Sequence, residues 1–135
     1  MLPPITPELL SALKDFKRQH PWTGDLVDRK NKFMMLHRRF NELFDKDVDL
    51  DLTKVRDGFD SGQSYAARHS PPKIGIVGKL SVITFIHEWA HILGANETDA
   101  QTWALDLYKQ TFPKNFAKLK FAGTNRFATM EVSEW

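Results

Sequence analysis

The sequence predicts a single α+β domain: one buried helix packed on a small sheet, with further helices on both sides of it in the chain. Three observations carry this expectation. Apolar residues recur at spacings of three, four and seven through 26–44, the mark of an amphipathic helix. The stretch DVDLDLTKV alternates apolar and acidic residues, and KIGIVG is a short β-branched run, so both read as strands. Residues 80–93 are hydrophobic nearly all round, and such a helix belongs at the centre of a fold. With 135 residues, of which 41% are hydrophobic, including ten Phe and four Trp, residues 1–135 fit one packed domain and not two.

Taken in order, Thr6 can cap a helix with Pro7 in its first turn, and His20-Pro21 ends it. The second helix runs from about Asp25 to Phe44, with Leu26, Phe33, Leu36, Phe40, Leu43 and Phe44 as its apolar positions. His20 and His37 read as surface residues. In the first strand Val48, Leu50 and Leu52 face inward, and Asp47, Asp49 and Asp51 face solvent. A calcium loop begun at Asp45 would need Gly and Glu where Leu50 and Arg56 stand, so the aspartates are a strand edge. Turns are expected at Asp57-Gly58 and Ser61-Gly62, a short strand at QSYAAR, and a strand over Ile74, Gly75, Ile76 and Val77 that feeds the buried helix. That helix can start anywhere from Gly78 to Ser81 and stops at Gly94, a good C′ residue. Asn96 caps the next one, which ends before Pro113 and turns Ala100, Trp103, Ala104, Leu107 and Thr111 inward. Phe112, Phe116 and Phe121 suggest a last amphipathic segment.

Composition excludes several classes. There is no cysteine, so disulfides, thiolate nucleophiles and Cys-based zinc sites are absent, and any metal must rest on His, Asp and Glu. No apolar run reaches the roughly 18 residues of a membrane helix, and no secretory signal is visible. A cytoplasmic protein is the expectation. A net charge of +2 is small for a dedicated nucleic-acid binder. Basic clusters do occur, at Arg29, Lys30, Lys32, His37, Arg38 and Arg39 and at Lys114, Lys118, Lys120 and Arg126.

The chemistry lies in His87-Glu88-Trp89-Ala90-His91. Residues four apart share a helix face, so His87 and His91 can aim at one ion. Glu88 stands about 100° round the helix, outside the ligand set but within reach of a water beside the metal. Burial alone would require two separate polar partners for the histidines, and a divalent cation such as Zn2+ satisfies both. Gly94 lets the chain reverse, and Glu97, on the same inward face as Ala100 and Ala104, is the candidate third ligand, with Asp99 in reserve.

The segment 73–108 resembles the zincin metallopeptidases through His-Glu-x-x-His and the downstream acid. The stretch ETDAQTWA is similar to the Glu-x-x-Ala-x-x-aromatic-Ala pattern of gluzincins, notably the ImmA/IrrE-like and related small peptidases. The resemblance implies a zincin-like fold, zinc held by His87, His91 and Glu97, Glu88 as general base, and a peptide or protein substrate laid along an edge strand at 74–77. It departs from the pattern at Gln101, where many gluzincins have an acid that buttresses a histidine. The short spacing from His91 to Glu97 is also that of metzincins, for whose methionine turn Met130 is the nearest analogue. Tyr65, His69 and Tyr108 are the candidates for stabilising an oxyanion. Two other readings share these residues: a DNA-associated, SprT-like protease working through the basic clusters, and a zincin-derived binding or structural module that no longer cleaves.

Overall fold

The computed structural model describes residues 3–56, 62–67, 72–78 and 80–118. Its longer helices start where a short polar side chain can accept a backbone N–H three residues on. Thr6 does so for α1 (Pro7–Arg18), Asp25 for α2 (Leu26–Phe44), Ser81 for α3 (Val82–Ile92) and Asn96 for α4 (Glu97–Thr111). A short α5 (Pro113–Ala117) follows, opened by Pro113. Between α2 and α3 lie β1 (Asp49–Val55), β2 (Gly62–Ala67) and β3 (Lys73–Gly78), so the architecture is α+β. Among the described residues no helix is long and apolar enough to cross a membrane.

The three strands form one mixed sheet in the order β1-β3-β2, with β3 parallel to β1 and antiparallel to β2. This corrects the expectation that 74–77 is an edge strand: Ile74, Gly75, Ile76 and Val77 lie in the middle, paired on both sides. The reason is readable in the composition, since a strand enclosed by neighbours is a continuous apolar run, whereas an edge strand tolerates alternating charge. Strand β1 is such an edge. Its pairing with β3 shifts between Asp51 and Lys54, and Leu52 and Val55 are its buried residues. Strand β2 forms the other edge.

Helix α3 occupies the centre, packed against β2, β3 and α4, while α1 lies on α2 and α4. Nine consecutive residues of α3, Val82 to Ala90, are buried. Its aromatic side chains interlock with those of α2: Phe85 meets Phe33 and Phe40, and Trp89 meets Phe40 and Phe44, with ring centroids 5.3–6.0 Å apart. Trp89 is fully buried, as its sequence context suggests. Trp89→Ala is therefore expected to cost about 3–5 kcal/mol. Urea denaturation measures this, and a loss below about 1 kcal/mol, the level of most surface changes, would contradict the packing.

His37 is a second correction. It is not on the surface but 4% exposed. It stands one turn after Phe33 and three residues before Phe40, inside the inward stripe of α2, so periodicity places it in the core despite its polarity. Arg29, one turn before Phe33, is buried by the same rule. The basic cluster on α2 is thereby broken up. Lys32 binds the carbonyls of His20 and Thr23 at 2.9 and 3.0 Å, and Arg39 pairs with Asp15 at 2.8 Å. Of the second cluster, Lys114 and Lys118 are exposed, and Lys120 and Arg126 lie outside the described residues, as do Phe121 and Met130.

Candidate metal centre

Side chains of three residues that could hold a metal converge at the junction of α3 and α4. One helical turn separates His87 from His91, and their Nε2 atoms are 3.1 Å apart. The α3–α4 turn then brings Glu97 over them. Gly94, at φ 101°, accepts the left-handed conformation, and the N–H groups of Gly94 and Ala95 return to the carbonyls of His91 and Ala90. These are the paired bonds of a Schellman motif, which a residue with a Cβ would strain. Two residues later Asn96 opens α4, so Glu97 is its first helical residue. Its Oε1 lies 3.0 Å from His87 Nε2, and its Oε2 lies 3.3 Å from His91 Nε2.

These separations lie within about 0.4 Å of those in a coordination shell. An ion about 2.0–2.1 Å from each ligand, in tetrahedral geometry, requires the ligands to stand about 3.3–3.4 Å apart. The set is two imidazole nitrogens and a carboxylate, donor types that zinc accepts. Glu97 is 65% exposed, so the cluster meets solvent on that side. This differs from the inward position expected for Glu97: it stands at the end of its helix and reaches the histidines from outside the core.

His91 is held in the tautomer a ligand needs. Its Nδ1–H donates to the Ala95 carbonyl at 2.9 Å, which leaves the Nε2 lone pair for a metal. Ala95 thus both closes α3 and orients a ligand. Sequence reasoning had no means of finding it, because the group involved is a backbone carbonyl.

His87 is buried, and its pKa is pushed down from 6.5 to about 4, chiefly by desolvation; Glu97 opposes the shift and His91 adds to it. At neutral pH His87 is therefore the neutral imidazole that metal binding requires. Burial also lowers the pKa of His37. Both histidines take up protons more readily unfolded than folded, so stability of the metal-free protein is full above pH 6.5 and falls as the pH drops below it. His87 alone would remove about 3 kcal/mol by pH 4. Asp15 and Asp51, held low by Arg39 and Thr53 respectively, titrate below this window. Denaturation between pH 7.5 and 4.5 in the presence of a chelator measures the effect, and a flat profile would contradict it.

Glu88 is 5% exposed, with Oε2 3.7 Å from His87 Nε2. That is too long for a hydrogen bond, yet the carboxylate stays beside the two imidazoles, in a group that could hold a metal ion. His87, Glu88 and His91 have ligand atoms within 4.8 Å of one another.

The remaining candidates fare differently. Gln101, one turn beyond Glu97, is half-buried, and no hydrogen bond joins it to His91. Asp99 is exposed and spends its backbone N–H on Asn96. Tyr108 is not at the site. It lies three turns along α4 from Glu97, about 16 Å by helical rise, and is buried in a stack on Phe112 at 5.1 Å. Tyr65 lies in β2 opposite Gly75. His69 falls outside the described residues.

Comparison with family models, with curated proteins and with solved structures returns no match, so the chemistry rests on this geometry itself.

Proposed function

We propose that this chain is a small zinc-dependent peptidase of zincin type. The observation that carries the reading is the convergence of His87 and His91, their Nε2 atoms 3.1 Å apart, with the two Glu97 carboxylate oxygens 3.0 Å from one and 3.3 Å from the other, and Glu88 buried beside them. A structural zinc site needs no fourth, unligated carboxylate; a hydrolytic one does. When bound, zinc polarises a substrate carbonyl and makes a neighbouring water more acidic. Glu88 takes the proton of that water as it attacks the carbonyl carbon and returns it to the leaving amine nitrogen. His87 and His91 would hold the metal through Nε2, and the Ala95 carbonyl keeps His91 aimed.

An extended peptide can bind as an added strand only where main-chain groups are unpaired. With β3 enclosed, β2 is, among the described strands, the edge strand that contacts α3, and the reading assigns the substrate strand to it. The substrate class is accordingly an unfolded or extended peptide segment.

The test is digestion of a complex peptide mixture by zinc-loaded protein, read by mass spectrometry. New termini that disappear on addition of a chelator are expected. No cleavage by protein shown to hold one zinc per chain would sink the peptidase reading and favour a non-cleaving zinc module.

A further inference from the structure

One polar contact ties the back of α3 to the rest of the core. Trp89 Nε1–H donates to His37 Nδ1 at 3.1 Å, and His37 Nε2–H donates to the Val48 carbonyl. Asn41, one turn further along α2, holds Val48 from both sides: its amide donates to the same carbonyl at 3.1 Å, and its oxygen accepts the Val48 N–H at 2.9 Å. His37 is therefore fixed in one tautomer between the start of the sheet and the active-site helix.

Trp89 lies midway between His87 and His91 in sequence, about 200° round the helix from each, and so directly behind the ligand pair. Its ring contacts with Phe40 and Phe44 are apolar and resist withdrawal, but such contacts do not define a rotation. A hydrogen bond does, because it is directional. A metal site needs its ligands held to within about 0.5 Å and 10–20°. A different directional anchor near the ligands, from His91 to Ala95, lies within the helix and its own turn and moves with them.

We propose that His37 is a positioning residue for the metal site, acting through Trp89 to fix the rotation of α3 and hence the aim of His87 and His91. The proposal rests on the metal-site reading given above.

The two nitrogens of His37 can be replaced separately. His37→Asn keeps an oxygen acceptor near the Nδ1 position, for Trp89. His37→Gln keeps an amide donor near the Nε2 position, for Val48. A merely structural role would make the two variants equivalent, since each retains one of two buried bonds. A positioning role makes them differ. Zinc affinity is measured on the full chain by competition with a chromophoric chelator, using zinc alone as the probe, and the Trp89 indole N–H is followed by NMR in the metal-free protein. Supporting interactions of metal ligands are worth about 10–100-fold in affinity. His37→Phe and His37→Gln are expected to fall near the lower end of that range, His37→Asn to stay within about twofold of wild type, and the indole resonance to shift in the first two only. Trp89→Phe, which removes the donor from the other side, should weaken zinc as His37→Phe does, and combining the two should add nothing. Equal zinc affinity in His37→Asn and His37→Gln, or additive losses in the double variant, would overturn the proposal while leaving the metal site intact. A folded wild type that takes up no zinc would overturn both.

Discussion

Glu88→Gln is expected to keep its zinc and lose hydrolysis by roughly 10²–10⁴-fold, the range that a positioned general base contributes. The substitution preserves size at a buried position, so packing in α3 is little changed. It removes only the capacity to accept a proton. With His87, His91 and Glu97 as the proposed ligands and Glu88 as the base, metal affinity should stay close to that of wild type. Zinc content and cleavage of the same peptide, measured on the same preparation, check both halves. Loss of zinc would make Glu88 a ligand, and retained cleavage would remove it from the mechanism.

His87→Ala has the largest expected effect on binding. His87 Nε2 is the hub of the cluster, 3.1 Å from His91, 3.0 Å from Glu97 and 3.7 Å from Glu88. Its loss leaves two ligands, and zinc affinity should drop by more than the roughly 10–100-fold that a supporting contact is worth. The thermal readout is independent of activity. Zinc at 100 times its Kd stabilises a folded protein by about 2.7 kcal/mol, on the order of 10 °C for a domain of this size. Wild type should show that rise in Tm on addition of zinc, and His87→Ala should show almost none. An undiminished rise in the variant would mean that the metal binds elsewhere.

The legibility of the site in the sequence follows from its locality. His87, Glu88, His91 and Glu97 lie within one helix, one turn and the next helix cap, so spacing and the Gly94 and Asn96 signals were enough to bring them together. What was missed depends on partners distant in the chain. His37 contacts Trp89 across 52 residues, and nothing local says that a histidine in the stripe of Phe33 and Phe40 meets an indole N–H. Its burial, in contrast, could have been read from that stripe. Strand order is non-local for the same reason: whether 74–77 is an edge depends on where 49–55 and 62–67 pair. Its apolar run without alternation already pointed to the centre. Tyr108 carries a hydroxyl, but the three helical turns that separate it from Glu97 already place it away from the site.

The most direct test of the account is the metal content of the wild-type chain, by elemental analysis after zinc loading and gel filtration, with His91→Ala beside it. The expected result is one zinc per chain in wild type and none retained in the variant. A folded wild type that retains no zinc would make His87 and His91 core residues, and the peptidase reading would fall with the site.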